Sequence, residues 1–243
     1  MAEELGLADP PLPWHTERLR IIDVASVSAR ACAALSKIAR DVTLLAQTEV
    51  GEVAEGAGAM PNTSHPVAAV AVLGCAKQAP GLMATLLACA EQELQRAAGA
   101  WHAEWQPYGH LLQLVVSASA WTRDLLANLN VDKARMAANL AEPGGLPLAE
   151  RVTALLRGPL GVPAAHDLVA VAAARSASSG VPFRDVLLAT PEIEDKLAKA
   201  GITPAAVERA LDPSGYLGAS DAFIDAALAA HQAQVAAASA RLR

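Results

Sequence analysis

Two segments of the 243-residue sequence carry side chains whose types and spacing could do chemistry. The first, residues 56–66, reads Gly-Ala-Gly-Ala-Met-Pro-Asn-Thr-Ser-His-Pro. Its imidazole, His65, could transfer protons near neutral pH, and loops of this composition often carry binding or catalytic groups. The same composition also suits a plain surface connection. A phosphate-binding loop is excluded, because no strand is predicted before the segment and no Gly-Lys-Ser/Thr ending closes it.

The second segment, residues 101–105, reads Trp-His-Ala-Glu-Trp. If it is helical, His102 and Glu104 point about 200° apart, so they do not converge on one metal ion. Trp101 and Trp105 are four residues apart and share a face, which favours a place in the core or in an interface. The imidazole of His102 either lines a cleft or has a structural role, and the spacing leaves both interpretations open.

Helices must position these segments. The apolar residues of the first predicted helix, 14–49, recur three and four apart, the pattern of a long helix packed at a shallow angle against others. At 1.5 Å per residue this rod would be about 50 Å long. Further helices are predicted over 67–100, bent at Pro80-Gly81, over 110–129 and over 132–140, with residues 107–109 as an interruption. The predicted seam of the first helix comprises Ile21, Val24, Ala31, Leu35, Ile38, Val42 and Leu45.

Shorter predicted helices fill the C-terminal part, each bounded by Gly, Pro or a turn. They cover residues 148–157, 163–179, 182–189, 204–211 and 221–240. The sequence Glu-Pro-Gly-Gly at 142–145 marks a boundary. We therefore expect an all-α chain with an irregular lead-in (1–13), a long-helix domain (14–141) and a small short-helix domain (142–243).

Composition excludes several functional classes. Hydrophobic residues make up 53% of the chain and aromatic residues 3%, a mixture dominated by helix-forming Ala and Leu. The net charge of -6 gives no basic excess with which to follow a nucleic-acid backbone. The first ten residues are acidic, unlike a signal peptide, and the charge-free stretch 56–76 contains two prolines, so no membrane segment is predicted there. Three scattered cysteines indicate buried free thiols in a reducing cytoplasm.

Several segments together resemble the 3-carboxy-cis,cis-muconate cycloisomerases, members of the fumarase/aspartase superfamily close to adenylosuccinate lyase. The resemblance rests on residues 35–53 (Leu-Ser-Lys-Ile-Ala-Arg-Asp-Val-Thr-Leu-Leu-Ala-Gln-Thr-Glu-Val-Gly-Glu-Val), on Met60-Pro61 and on the Trp-His-Ala-Glu-Trp segment. Residues 165–168, 186–188 and 211–218 resemble the small C-terminal domain of the same enzymes. The resemblance covers the chain from about Leu5 onward. This resemblance implies long central-bundle helices followed by a short-helix domain.

The loop departs from the pattern of the family it resembles, Gly-Ser-Ser-x-Met-Pro-x-Lys-x-Asn-Pro. The two serine positions hold Ala57 and Gly58, the lysine position holds Thr63 and the asparagine position holds His65. In the family this loop closes over the substrate, supplies a proton-transfer serine and stabilises an aci-carboxylate intermediate. No catalytic residue is therefore assigned, and His65 is a weak candidate for proton transfer. The substrate-binding positions that the resemblance implies are Met60, Asn62, Thr63, His65 and His102.

Three functions remain open. The first is a truncated relative of the cycloisomerase, impaired alone because a family member has an N-terminal region before the start of this chain and because the loop is altered. The reaction in the family is a lactonisation of 3-carboxymuconate in aromatic catabolism (the protocatechuate/β-ketoadipate route). The second is one component of a split active cycloisomerase or lyase. The third is a non-enzymatic helical interaction protein.

The resemblance also implies partners. Each site in the family is assembled from three protomers of a tetramer, so a homo-oligomer is expected, or a hetero-oligomer with a chain that supplies the N-terminal region. A small carboxylate is the implied ligand. No cofactor and no metal are implied, because the chemistry of the family uses acid–base groups, and neither a nucleic acid nor a membrane is expected as a partner.

Overall fold

The structure is a computed structural model that describes residues 2–8, 15–56 and 65–241. These residues are largely helical, which confirms the all-α prediction, and they include one two-stranded antiparallel sheet that the sequence did not indicate. The elements are α1 (Ala2–Leu5), α2 (Leu19–Leu45), β1 (Val53–Glu55), α3 (Val67–Ala88), α4 (Ala100–Ala127), β2 (Leu129–Val131), α5 (Lys133–Ala141), α6 (Ala149–Leu160), α7 (Val162–Ser179), α8 (Phe183–Ala189), α9 (Pro191–Lys199), α10 (Pro204–Ala210) and α11 (Ser220–Arg241), with 3₁₀ turns at Leu146–Leu148 and Pro213–Gly215.

The chain forms two compact units, Met1–Met136 and Ala137–Arg243, here called unit 1 and unit 2. This division falls inside α5. Because domain boundaries fall in linkers and not within helices, we propose that the boundary lies where α5 ends, at Ala141, as the sequence suggests. The expected irregular lead-in contains the one-turn helix α1, and residues 9–14 lie outside the described part of the chain.

Unit 1 is built on three long helices, α2, α3 and α4, that pack on one another around two apolar clusters. The buried face of α2 differs from the predicted seam, because Val24 is 46% exposed whereas its neighbour Ala25 is fully buried. The predicted spacing is thus correct over much of α2, but the buried stripe is rotated by one residue toward small side chains, which let neighbouring helices approach closely. The buried residues of α2 are Ile22, Ala25, Ser28, Cys32, Ala39 and Val42.

Three predicted helix spans in unit 1 differ from the structure. The helix predicted over 14–49 corresponds to α2, which begins at Leu19 and ends at Leu45. The helix predicted over 67–100 ends at Ala88, and α4 runs without interruption from Ala100 to Ala127, although 107–109 were predicted to interrupt it. Pro107 lies inside α4 and Pro80 inside α3. Packing against two neighbouring helices outweighs the local penalty of a proline, an effect that single-sequence propensity does not register.

Unit 2 has its own apolar core, formed by α6 to α10. Phe183, Leu156 and Leu187 are fully buried at its centre. The predicted helices of this region are present with shifted ends, and α9 was missed. Its N-terminal signal was nevertheless in the sequence, because Thr190 is extended and Pro191 occupies the first helical position.

Helix α3 alone among the described helices is long and apolar enough to cross a membrane by length and composition. It packs against both α2 and α4, and a core helix of a water-soluble bundle meets the same criterion, so this observation is weak evidence for a membrane.

Candidate functional site

A strand pair holds the described residues before the loop 57–64, and a carboxylate connects them to the residues after it. Strand β1 pairs antiparallel with β2, with Val53 opposite Val131 and Glu55 opposite Leu129. The prediction that no strand precedes the loop is therefore wrong, although the loop still lacks the Gly-Lys-Ser/Thr ending of a phosphate site. The strand was missed because three residues are too few for a period-2 pattern to emerge.

Glu55 connects the start of the loop to its end. Both of its carboxylate oxygens accept the backbone N–H of Ala68, at 2.8 and 3.1 Å, in the first turn of α3. The residue before that helix, Pro66, provides no side-chain cap. An anion at a helix N-terminus is stabilised by the exposed N–H groups and the helix dipole, so Glu55 replaces the missing cap from across the loop.

Two further features constrain the backbone of residues 49–56, which lead into the loop. The guanidinium of Arg135 donates to the carbonyl oxygens of Val50 and Glu49, at 2.9 and 2.8 Å. A Cβ added at Gly56 would lie 3.1 Å from the carbonyl oxygen of Asn128, so this position favours glycine. Glu55 and Arg135 were not predicted from the sequence, because both bind backbone atoms of distant segments and such contacts leave no sequence pattern.

The sequence-predicted residues of the loop itself, Ala57, Gly58, Met60, Asn62 and Thr63, lie outside the described residues. His65 is described at the loop's C-terminal end, where its side chain is exposed to solvent and its carbonyl oxygen accepts the N–H of Val67 at 2.8 Å. An exposed imidazole beside the loop is accessible to a ligand.

His102 lies in the first turn of α4 within a group of four rings. The ring centroids of Trp101 and Trp105 are 5.0 Å apart with the rings perpendicular, and His102 lies 4.9 Å from Trp105. His15, from the segment before α2, lies 4.8 Å from Trp101. These are the edge-to-face and tilted arrangements that aromatic rings prefer. Trp105 is 53% exposed, so this group forms surface, not core.

Glu104 points away from His102, as the helical spacing predicts. Its carboxylate is buried and accepts from the guanidinium of Arg18 through both oxygens. Among the residues that the structure describes, no group of three or more His, Cys, Asp or Glu side chains could hold a metal ion.

The two histidines lie at opposite ends of the α3–α4 pair. Ala68 and Val72, near the start of α3, share a cluster with Leu125 near the end of α4. Leu86, near the end of α3, packs instead with Leu111 in the first half of α4. The two helices are therefore antiparallel, and a 22-residue helix is about 33 Å long. Within one chain, His65 and His102 cannot contact the same small molecule.

The three thiols are free, as the sequence predicts; Cys32 and Cys89 are buried and Cys75 is half-buried. Burial raises the pKa of the Cys32 thiol, and the neighbouring Cys75 adds to the rise. Burial also raises the pKa of Cys89, with a smaller contribution from the charge of Glu104. Because the thiolate is the reactive form, these two cysteines are suited to packing and not to catalysis.

The sequence and the fold of this chain are similar to those of known proteins of one superfamily. The model of the adenylosuccinate lyase C-terminus matches residues 145–227. The 3-carboxy-cis,cis-muconate cycloisomerase of Pseudomonas aeruginosa is 42% identical over 240 residues, which cover 96% of this chain and 51% of the relative. The nitrosuccinate lyase of Streptomyces davaonensis is 42% identical over 93% of this chain and 48% of its own length.

Solved structures agree. The 3-carboxy-cis,cis-muconate lactonizing enzyme from Pseudomonas putida superposes with a TM-score of 0.87 at 38% identity, covering 95% of this chain and 51% of that structure. The fold and these matches show that the chain belongs to the fumarase/aspartase superfamily. Within it, the chain is similar over nearly its whole length to the 3-carboxy-cis,cis-muconate cycloisomerases, and it spans about half the length of the curated relatives it matches.

Proposed function

We propose that this chain provides one part of a cycloisomerase-type site for a small polycarboxylate, and that it has little or no activity alone. The observation that carries the proposal is the 42% identity to a 3-carboxy-cis,cis-muconate cycloisomerase over 96% of the chain. The proposed substrate class is 3-carboxymuconate or a related di- or tricarboxylate. The proposed location is the cytoplasm, in keeping with three free thiols.

The hydrogen bonds of Glu55 and Arg135 near the loop 57–64 support a role for this loop in substrate binding. Glu55, the residue before Gly56, binds the first turn of α3, and Arg135 in α5 binds the turn that follows α2. A loop whose two ends are joined, as Glu55 joins them here, has fewer conformations to lose when it closes over a ligand. Such a frame suits a substrate loop better than a plain connection.

The sequence of the loop supports low activity. Lactonisation adds a substrate carboxylate across a double bond and requires a placed proton donor, together with hydrogen-bond donors aimed at the developing charge. Ala57 and Gly58 offer only backbone N–H groups. Thr63 cannot replace an ammonium, and a lost hydrogen bond to a charged group costs about 1.5–3 kcal/mol. His65 is the remaining candidate for proton transfer.

We further propose that His65 and His102 serve a site only when different copies of the chain, or a second chain, come together. Their placement at opposite ends of the α3–α4 pair supports this, because one chain cannot bring both to a single ligand. A second chain could complete the site in two ways. The chain could form a homo-oligomer, which is a tetramer by family resemblance, or it could bind a chain that supplies the N-terminal region of the relatives.

The test is turnover of 3-carboxy-cis,cis-muconate, followed as loss of the diene's ultraviolet absorbance at high protein concentration. We expect no turnover by the chain alone, and turnover once the part of the Pseudomonas aeruginosa relative outside the matched half is supplied. If activity appears, His65→Ala should reduce it, whereas His166→Ala, on an exposed face of unit 2, should not. Strong turnover by the chain alone would overturn the proposal of low activity.

A second candidate function is elimination from a substituted succinate. It is favoured by the 42% identity to nitrosuccinate lyase, equal to that of the cycloisomerase. Supplying nitrosuccinate and 3-carboxymuconate in parallel, under the same conditions, distinguishes the two. Release of nitrite without consumption of the muconate would favour the lyase, whereas inertness toward both, also in the supplemented mixture, would favour the non-enzymatic interaction protein.

A further inference from the structure

Two of the three free thiols of unit 1 lie close together between α2 and α3. Cys32 is buried in an apolar cluster that these two helices share, and Cys75 packs against the same cluster from α3. The charge of Cys75 adds to the raised pKa of the Cys32 thiol, an effect that requires the two groups to be near each other. The third thiol, Cys89, has Glu104 as its charged neighbour. Cys32 and Cys75 therefore form a pair, and Cys89 lies outside it.

The register of the two helices places these cysteines at nearly the same level. Helices α2 and α3 are antiparallel, because the end of α2 shares one apolar cluster with the start of α3, and the start of α2 shares another with the end of α3. The hydroxyl of Ser26 contacts the Sδ atom of Met83 at 4.0 Å. Counted from that contact, residue 32 lies level with residue 77, which is about 3 Å along the helix axis from Cys75.

Small side chains let the two backbones approach closely around this pair. The same cluster contains Ala25 and Ala29 of α2 and Ala76 and Ala79 of α3. Helices packed through small residues have axes about 8 Å apart, and Cα atoms lie about 2.3 Å from an axis, so facing backbones come within about 3–4 Å. With the offset of about 3 Å along the axis, the closest Cα separation is about 4.5 Å. A disulfide spans Cα separations of about 4.4–6.8 Å.

We propose that Cys32 and Cys75 form a reversible disulfide when a peroxide oxidises the chain, and that this bond links the two helices that flank the loop 57–64. The ring of chain that the bond closes runs from residue 32 to residue 75, so it contains β1 and the whole loop. The proposal does not depend on the proposed enzymatic function, because it concerns the covalent state of two sulfur atoms.

The half-buried thiol reacts first. The thiolate of Cys75 attacks one oxygen atom of hydrogen peroxide, the O–O bond breaks, and Cys75 becomes a sulfenic acid as one water molecule leaves. Burial shields Cys32 from the peroxide and suits it to the second step. Its sulfur then attacks the sulfur of Cys75, gives up its proton and displaces hydroxide, which leaves as a second water molecule. The two thiols lose two electrons, and the peroxide is reduced to two molecules of water.

The test is peptide mapping of the full chain after oxidation. The chain is reduced, freed of reductant and treated with hydrogen peroxide, and the remaining thiols are blocked with a maleimide under denaturing conditions. Mass spectrometry without reduction then identifies any linked peptides. We expect a bond within one chain between Cys32 and Cys75, with Cys89 carrying the maleimide, so that the three free thiols fall to one.

Thermal unfolding provides a second measurement. A disulfide that closes a long loop restricts the unfolded chain, so the Tm of the oxidised chain should exceed that of the reduced chain by at least about 5 °C. A small dithiol should reverse the rise, because it exchanges with the disulfide. Cys75→Ser should abolish both the link and the rise in Tm, whereas the matched control Cys89→Ser should leave both unchanged.

The peptide map of the unsubstituted chain decides the proposal even if a variant fails to fold. A link through Cys89, or a bond between two chains in place of one within a chain, would overturn it. Oxidation of Cys75 to a sulfenic or sulfinic acid while Cys32 remains a thiol would also overturn it, because the two sulfur atoms would then be too far apart to bond.

Discussion

The guanidinium of Arg18 lies against the carboxylate of Glu104, 86 residues later in the chain, and both side chains are buried. The pair joins the segment before α2 to the first turns of α4. Thr16 supports the same junction, because its hydroxyl donates to the carbonyl oxygen of Leu94 at 2.9 Å. Glu104 therefore anchors the Trp-His-Ala-Glu-Trp segment to the residues before α2. Its side chain points away from His102, as the helical spacing predicts.

Removal of this glutamate should strongly destabilise unit 1. In a Glu104→Ala variant the guanidinium of Arg18 loses its carboxylate in a buried place, which costs about 3–5 kcal/mol of the free energy of unfolding. Urea titration at a fixed protein concentration measures it. Asp41→Ala is the control, because it breaks the exposed Lys37–Asp41 pair and should cost less than about 0.5 kcal/mol. Equal losses in the two variants would show that the buried pair is not specially important.

Gly56→Ala should destabilise the frame of the loop. The new methyl group would lie 3.1 Å from the carbonyl oxygen of Asn128, and relief of that contact requires movement next to the β1–β2 pair, at a cost of about 1–3 kcal/mol. Gly74→Ala, inside α3 with open space around the added Cβ, should instead stabilise by up to about 1 kcal/mol. Thermal unfolding of both variants measures whether each substitution lowers or raises the stability. Stabilisation by Gly56→Ala would contradict the expected steric conflict.

Thiol labelling should follow burial. Cys75 is half-buried, whereas Cys32 is fully buried and Cys89 is 6% exposed, and burial raises the pKa of both buried thiols. At neutral pH fewer of these two are thiolates, so we expect maleimide to modify Cys75 first, by at least about tenfold in rate. Mass spectrometry of peptides over time measures the order. Simultaneous labelling of all three would indicate that unit 1 opens readily.

Restoration of the serine positions should raise turnover. Ala57→Ser with Gly58→Ser returns a side-chain proton donor to the loop, and a placed acid or base typically contributes about 10²–10⁴-fold. The measurement is the muconate assay in the presence of the supplied remainder of the relative. Ala59→Ser, between the family positions and Met60, serves as the control and should change nothing. No gain in the double variant would mean that the missing serines do not limit the reaction.

Asp212 should contribute stability that depends on pH. Hydrogen bonds from Ser214, first from its hydroxyl and second from its backbone N–H at 2.9 Å, hold the pKa of the Asp212 carboxyl below its usual range, and Arg151 has a smaller effect. The contribution is therefore complete above the ordinary pKa of aspartate and is lost as the pH falls through the lowered folded-state value. The difference in Tm between the chain and Asp212→Asn should shrink as the pH falls from 6 to 3. A constant difference would contradict this assignment.

The sequence was informative where a local rule governs the structure. Asp132 was predicted to begin a short helix, and its carboxylate accepts the N–H of Arg135 at the start of α5. The positions of prolines and glycines correctly predicted where most of the short helices of unit 2 lie. The rules failed at Pro107, inside α4, and at β1, because the outcome there depends on neighbours distant in sequence.

By itself, the sequence determined the all-α class, the short helices of the C-terminal part and the altered loop, since composition, capping and motif spacing are local properties. The tertiary structure decided which face of α2 is buried, that Glu55 caps α3 from across the loop, and that His65 and His102 lie at opposite ends of a helix pair. These features arise from packing and hydrogen bonds between segments far apart in the chain. Such contacts are selected by the shape of the whole unit, and periodicity within any single helix does not encode them.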